Sequence, residues 1–367
     1  MIGRVLRRLA VAMLGVALAL AGIEGGLRLL PTAPWAGKFS LGPWQWLRYE
    51  PILGWENMPG FHDDRFRIDT QGFRGDDVAP GAAAKRLRIV CLGDSRTFGM
   101  REAASGFRFD NAYPDALRGV ISQRRSEEAV EVINAGVVGY TSAHGLRQLV
   151  TRILPLRPDV VTVAFGFNDH SLAWNAALRC EEPENALLRE ALYGGADLRL
   201  FRLGLSVWQG MAFLHPRPLS VRWVDREHYA YNLRRIAAAA REGGAHVLFV
   251  AQALRPLALG ESTPPAIDPK RDATKVYGVL GAKDLADLHR IDDEYGEILY
   301  RVAREAKVPV ADAAAAFAAH EGEDLFSRYD AVHPAPKGAA LIAETIYDKL
   351  VGLGWLRARH AGGNVGP

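Results

Sequence analysis

Cysteine is scarce in this chain, with only Cys91 and Cys180 among 367 residues. Two cysteines exclude a scaffold built on several disulfides and a zinc site with four cysteine ligands. An excess of one charge is also missing, because 45 basic residues stand against 42 acidic ones and give a net charge of +3. A protein that binds nucleic acid through its charge carries a larger basic excess, so we expect no nucleic-acid partner.

The composition is that of a folded protein. Apolar residues make up 49% of the chain and charged residues 24%, which excludes disorder throughout. From shifts in composition we expect a signal or membrane-anchor segment at 1–30, a lead-in with short strands at 31–85, a main domain at 86–353 and a flexible tail at 354–367.

The N-terminal segment has the pattern of an export signal. Three arginines stand among the first eight residues, and residues 9–23 carry no charge. Basic residues keep the N-terminal end in the cytoplasm, so we expect a membrane anchor with the rest of the chain exported. The small residues at 19–21 leave a second possibility open, a cleaved signal and a periplasmic or secreted protein.

Five short apolar runs, rich in β-branched residues, follow the lead-in. They are residues 87–92, 130–133, 160–165, 247–251 and 308–311. The amphipathic stretches among them are residues 142–156, 226–241, 291–306 and 336–350. Strands that alternate with helices predict a parallel sheet covered on both faces. The expected fold is therefore α/β, a flavodoxin-like three-layer α/β/α sandwich with a five-stranded parallel sheet.

Two long segments interrupt the alternation, at about 170–225 and 255–289. Long excursions from a compact sheet are often lids or substrate walls, so we expect both to be insertions. The first insertion carries three tryptophans, Trp174, Trp208 and Trp223. They could stack on carbohydrate or fill the core of the insertion, and we expect the core.

Polar residues that could carry chemistry follow three of the predicted strands, namely the first, the third and the last. Gly93-Asp94-Ser95 follows the first strand and Asn168 the third, at the sheet edge where ligands bind in α/β folds. Asp330 precedes His333 by three residues, so its carboxylate could orient the imidazole as a base for the serine. Each pattern alone has a plain structural reading as a cap or a turn. Their combination, in order, predicts acyl transfer.

At these residues the sequence resembles the SGNH hydrolases, the GDSL-type esterases and lipases, over about residues 86–352. The resemblance implies the SGNH hydrolase fold, with Ser95 as nucleophile, His333 as base and Asp330 as its orienting partner. It also implies an oxyanion hole made of the Ser95 and Gly139 amides and the Asn168 side chain.

The lead-in is similar to that of a bacterial, membrane-tethered branch of the same family, since Gly72-Phe73-Arg74 precedes the Gly-Asp-Ser block. This resemblance implies a bacterial inner-membrane anchor with the catalytic domain in the periplasm. Arg96 departs from the family pattern, in which an aliphatic or aromatic residue commonly follows the serine. It is a candidate contact to an anionic group of the substrate, with packing beside the sheet as the alternative.

The expected function is therefore an exported serine esterase that hydrolyses a small-molecule or glycan ester, with O-acyl groups on carbohydrate as one candidate. An O-acyltransferase acting on an exopolysaccharide or cell-envelope glycan is the first alternative, and a non-catalytic carbohydrate-binding scaffold is the second. We expect no cofactor and no metal, because His144, His170 and His246 lack the spacing of metal ligands. The sequence leaves the oligomeric state open.

Overall fold

A computed structural model describes residues 2–35, 44–78, 86–103, 106–125, 129–173, 178–214, 221–255, 281–326 and 331–356. Within these residues the strands are Leu47–Glu50 (β1), Gly54–Asn57 (β2), Leu87–Gly93 (β3), Arg101–Ala103 (β4), Gly106–Arg108 (β5), Val130–Gly136 (β6), Val160–Ala164 (β7), His246–Ala251 (β8) and Val310–Asp312 (β9). The α-helices are Ile2–Leu29 (α1), Ser95–Phe98 (α2), Tyr113–Arg124 (α3), Ser142–Gln148 (α4), Phe167–His170 (α5), Ala186–Gly194 (α6), Arg199–Leu214 (α7), Arg226–Glu242 (α8), Leu285–Glu305 (α9), Ala313–Ala319 (α10) and Pro336–Gly352 (α11).

The main sheet confirms the predicted α/β fold. Five parallel strands lie in the order β6-β3-β7-β8-β9. The chain adds β6 on one side of β3 and then β7 on the other, so the strand order reverses beside β3. Such a reversal opens a crevice at the carboxyl ends of the strands. Gly93 of β3 pairs with Gly136 of β6 and with Ala164 of β7, so the three strands end at the same level.

The strands are mostly apolar because helices cover the sheet on both faces. Every residue of β3 and β7 is buried. On one face α3 and α11 pack through Leu117, Ile121, Ile342 and Ile346. Each such side chain stabilises the fold by about 1.5–3 kcal/mol relative to exposure. The core therefore fixes the sheet edge on which the candidate site stands.

The predicted helix at 142–156 changes type halfway. It begins as α4, continues as a π-helix at Leu149–Ile153 and ends as a 3₁₀-helix at Leu154–Leu156. Pro155 gives the reason, because proline has no N–H and its ring clashes with the carbonyl four residues earlier in an α-helix.

The chain forms two compact units. One contains residues 1–56 and 182–216, the other residues 57–181 and 217–367. The expected boundaries at residues 30, 85 and 353 stay predictions. In the first unit α1 is a single helix whose span Gly3–Leu29 is long and apolar enough to cross a membrane or to serve as a signal sequence.

The predicted insertions contain both described and undescribed residues. The first contains α6 and α7, whereas much of the second, residues 256–280, lies outside the described residues. Trp223 is buried, but Trp208 on α7 is 58% exposed, so a core position is wrong for Trp208. Trp174 lies outside the described residues.

Candidate active site

The turn between β3 and α2 positions Ser95 as the first residue of α2. The Asp94 carboxylate caps this helix by accepting a hydrogen bond from the Arg96 N–H at 2.9 Å. A Cβ on Gly93 would lie 2.1 Å from Thr97 Oγ1, so only glycine lets α2 fold back this closely on its strand. The Ser95 N–H lies in the first turn of α2, where amides have no acceptor within the helix.

Ser95 and His333 meet across 238 positions of sequence, with 2.9 Å between Ser95 Oγ and His333 Nε2. Ser95 is 7% exposed. The loop that carries His333 is held by the buried Asn111, whose Nδ2 donates to the Pro334 carbonyl at 2.5 Å. The 2.9 Å between Ser95 Oγ and His333 Nε2 is a hydrogen-bond distance, so the imidazole is placed to accept the hydroxyl proton and activate the serine.

Asp330 lies outside the described residues, so its expected role as orienting partner of His333 stays a prediction. Asn111 was missed by sequence reasoning. Its contact joins residues 223 positions apart, and no local sequence pattern predicts a hydrogen bond over such a separation.

Gly139 and Asn168, the expected oxyanion donors, lie beside each other. Gly139 stands in the turn after β6 with φ of +82°, a conformation that glycine adopts without strain. Asn168 Nδ2 donates to the carbonyl of Tyr140, the next residue, at 2.9 Å. A side-chain amide carries two N–H groups, so one more remains for a ligand. The loop is tied to the nucleophile strand, since the Val137 N–H donates to the Gly93 carbonyl at 3.2 Å.

Asp169 connects α5, which carries Asn168, to the first residue of α4. Its Oδ1 accepts hydrogen bonds from the N–H and the hydroxyl of Ser142, at 2.9 and 2.5 Å. Burial raises the pKa of Asp169 to about 7, and the hydrogen bonds from Ser142 oppose that rise. Asp169 therefore joins α5, which carries Asn168, to the start of α4.

His144 fixes the start of α4 in the same way. Its Nδ1 lies 2.8 Å from Thr141 Oγ1, and its Nε2 lies 3.0 Å from the Leu178 carbonyl. Burial lowers the pKa of His144 to about 3, so the ring is neutral at physiological pH. Both nitrogens are engaged with the protein, in agreement with a structural role.

Arg74 supports the nucleophile helix from the lead-in. Its N–H donates to the Asn134 carbonyl at 3.0 Å, and its guanidinium donates to the carbonyls of Phe98 and Phe109. Burial lowers the pKa of Arg74, while the carboxylates of Asp115 and Asp110 oppose this. Gly72-Phe73-Arg74 was noted in the sequence as a family likeness, and its physical role is to hold α2 and β6 together.

Arg96 points away from bulk water into a cavity of about 340 Å³. Its side chain is 4% exposed, and its guanidinium lies over the Phe167 ring at 5.7 Å. Nη2 lies 3.5 Å from Asp94 Oδ2, but Nε and Nη1 have no hydrogen-bond partner in the described part of the chain. A buried charge this poorly paired is unusual, because buried charges are normally hydrogen-bonded or paired.

Gln252 lines the same cavity, just beyond the end of β8, and is likewise unsatisfied. Neither its amide oxygen nor its amide nitrogen has a partner among the residues described. The exposed carboxylates of Asp293 and Glu297 also line this cavity. The cavity thus offers hydrogen-bond donors and acceptors together, without the net positive charge that would select an anion.

Possible metal ligands are scattered. The described residues contain no group of three or more His, Cys, Asp or Glu side chains that could hold a metal ion.

Comparisons with known proteins assign the family. The model of the GDSL-like lipase/acylhydrolase family matches residues 91–341, more than half of the chain. The chain belongs to this family and is an enzyme of the class that hydrolyses ester bonds. No curated protein matches the chain.

Three solved structures illustrate the similarity. A lipase/acylhydrolase from Enterococcus faecalis is 21% identical with a TM-score of 0.45, over 75% of this chain and 99% of that one. An α/β hydrolase from the metagenome of Lake Arreo, Spain, is 18% identical with a TM-score of 0.43, over 74% and 96%. An acetylxylan esterase from Geobacillus stearothermophilus is 18% identical with a TM-score of 0.43, over 74% and 97%.

Proposed function

We propose that this acylhydrolase is an exported serine esterase that works through Ser95, His333 and Asp330. The observation that carries the proposal is the 2.9 Å separation of Ser95 Oγ and His333 Nε2 at the carboxyl edge of the sheet. His333 accepts the hydroxyl proton while Oγ attacks the ester carbonyl. Asp330 accepts from the Nδ1–H and stabilises the imidazolium that forms.

The tetrahedral intermediate places a negative charge on the former carbonyl oxygen. The N–H groups of Ser95 and Gly139 and the free N–H of Asn168 Nδ2 stabilise that oxyanion. Donors fixed before the reaction need no reorganisation as the charge develops. The hydrogen bonds that hold Asn168 to Tyr140 and Asp169 to Ser142 supply this rigidity.

Collapse of the intermediate breaks the ester C–O bond and expels the alcohol, which takes the proton from His333. Water then attacks the acyl-enzyme, with His333 accepting its proton, and the acid leaves as Ser95 regains its hydrogen. The proposed chemistry uses only groups of this chain and water.

The substrate is proposed to be an ester whose polar part enters the cavity lined by Arg96, the residue after Ser95. Within the described part of the chain, Arg96 and Gln252 have four unpartnered atoms between them at the wall of this cavity. Hydroxyl groups satisfy both donors and acceptors, as O-acylated carbohydrate would, and the carboxylates at Asp293 and Glu297 disfavour an anion.

The site of action is proposed to be the periplasmic face of the bacterial inner membrane, with α1 as the anchor. Arginines before the apolar span and an apolar helix from Gly3 to Leu29 support this arrangement.

Ester hydrolysis by the full chain in detergent tests the proposal. We expect turnover of a 4-nitrophenyl acetate ester that is lost in Ser95→Ala. If a glycan acceptor is acylated while hydrolysis of the ester falls, the protein is an acyltransferase rather than an esterase. An Ser95→Ala variant as active as the parent would overturn the serine mechanism.

A further inference from the structure

Helix α7 in the first compact unit has its polar side inward and its apolar side outward. Val207, Trp208 and Met211 share one face and are 52%, 58% and 54% exposed. Ser206 and Gln209 lie on the other face and are each 2% exposed. A surface helix of a water-soluble protein shows the reverse arrangement.

The inward polar side is held by specific contacts. Arg202 Nη1 donates to Glu50 Oε1 at 2.5 Å, and Gln209 Nε2 donates to the Pro51 carbonyl at 3.2 Å. The Tyr49 hydroxyl donates to the Gln209 side-chain oxygen. Turning the helix to bury Trp208 would break a buried ion pair, which leaves a costly unpaired charge. The outward apolar face is therefore built into the fold of this unit.

The start of α7 is fastened to the end of α1. Glu24 of α1 accepts hydrogen bonds from the N–H groups of Arg199 and Leu200, at 3.1 and 2.8 Å. In return Arg199 Nη1 donates to the Leu27 carbonyl at 2.6 Å, and Arg28 Nη2 donates to the Asp197 carbonyl at 3.0 Å. The apolar face of α7 thus begins where the apolar span of α1 ends.

We propose that the outward face of α7 lies in the interfacial layer of the bilayer that α1 spans. We call Val207, Trp208 and Met211 the lipid-facing patch.

Three features favour a lipid surface as the occupant. Helix α7, which carries the patch, is hydrogen-bonded at its start to the end of the candidate span through Glu24 and Arg199. Tryptophan is enriched at membrane–water interfaces, where its ring sits at headgroup level. Arg28 and Arg199 lie near the end of the span, and basic side chains there attract anionic headgroups.

This placement has a consequence for α1. Glu24, Leu27 and Leu30 accept hydrogen bonds from Arg199 at the start of α7, so this end of α1 is part of the folded unit. The inference depends on α1 remaining in the membrane and is independent of the proposed esterase chemistry.

Site-specific fluorescence tests the proposal on the full chain. Trp208→Cys carries an environment-sensitive fluorophore, and the chain is inserted into vesicles of phosphatidylethanolamine with a minor share of phosphatidylglycerol. Lipids with a nitroxide at a shallow position are the quenchers for position 208, and lipids with a nitroxide deep in the acyl chain are the quenchers for position 14. Leu14→Cys, within α1, reports insertion of the span, and Val351→Cys is the matched control at an exposed apolar residue of the second unit. The native cysteines are buried.

We expect severalfold stronger quenching at position 208 than at position 351, together with quenching at position 14. Quenching at position 14 with none at position 208 would overturn the proposal. A fluorophore at 208 that is shifted to the blue but not quenched by lipid would also overturn it, because a second copy or a protein partner would then cover the patch. No quenching at position 14 would show that α1 does not lie in the membrane, and it would overturn the proposal as well.

Discussion

At the carboxyl edge of the sheet, the polar side chains that follow β3, β6 and β7 hold one another, whereas Arg96 and Gln252 in the neighbouring cavity lack such partners. Around the first group, Ser95 meets His333, and Asn168 and Asp169 bind the loop before α4. In the cavity, four side-chain atoms of Arg96 and Gln252 are unsatisfied among the described residues.

This difference separates two tasks of one active site. Reacting atoms need groups fixed in advance, and fixation is provided by hydrogen bonds inside the protein. Recognition needs groups whose hydrogen bonds are completed by the ligand, and buried unsatisfied atoms are the mark of such a position. The first group is therefore expected to control kcat and the second to control KM.

The largest effect is expected at Ser95 and His333. Ser95→Ala and His333→Ala should each reduce kcat by about 10⁴- to 10⁶-fold, and the double variant should be no slower than either, because the two residues act as a unit. Steady-state hydrolysis of 4-nitrophenyl acetate gives these values. Additive losses in the double variant would contradict a shared step.

A smaller loss is expected at Asn168. Asn168→Ala removes one oxyanion donor and should reduce kcat by about 10²- to 10³-fold with little change in KM. Asn168→Asp keeps the shape but places a negative charge beside the oxyanion, and it should be at least as slow. An Asn168→Ala enzyme with normal kcat and raised KM would move Asn168 from the reactive group to the recognition group.

Arg96 should change binding rather than chemistry. Arg96→Met should raise KM for an acetylated sugar by about tenfold and leave kcat for 4-nitrophenyl acetate nearly unchanged. Its melting temperature should not fall, because an apolar replacement for a poorly paired buried charge is often neutral or stabilising. The control is Arg290→Met, an exposed arginine of α9. A fall in stability with unchanged KM would assign Arg96 a structural role.

A separate effect, on stability rather than on activity, is expected in the pH dependence at Asp169. Its pKa is about 7 in the folded protein because of burial, above the ordinary value of 3.8. The proton therefore stabilises the fold, and this contribution is full below about pH 4 and is lost as the pH rises through about 7. Its size is about 4 kcal/mol.

Asp169→Asn cannot ionise and keeps the acceptor for Ser142. We expect its free energy of unfolding to decline less than that of the parent between pH 5 and pH 8, by urea titration. Asp293→Asn, an exposed residue, serves as control. Equal pH dependence of parent and Asp169→Asn would show that Asp169 is ionised in the fold.

The five strands and the meeting of Ser95 with His333 were predictable from sequence for a physical reason. Buried parallel strands consist of short apolar runs, and the residues after them meet at one edge. Arg74 and Asn111 were not predictable, because their bonds to Phe98 and Pro334 depend on distant backbone that the sequence does not mark.

Helices α7 and α8 show a second limit of sequence reasoning. Both have the helical period, but α8 buries Leu233 and Ile236, whereas α7 exposes Val207 and Trp208. A helical period in the sequence shows that the two faces of a helix differ in polarity. It does not show whether the apolar face meets the protein core or the surroundings of the protein. The core position expected for Trp208 was wrong for this reason.

Labelling with a fluorophosphonate probe tests the central claim most directly. The full chain and its His333→Ala variant are treated alike, folding is checked by circular dichroism, and the modified peptide is identified by mass spectrometry. We predict an adduct on Ser95 that is strongly reduced in His333→Ala. No adduct on the folded parent chain, or an adduct that the variant forms equally well, would contradict a working pair of Ser95 and His333.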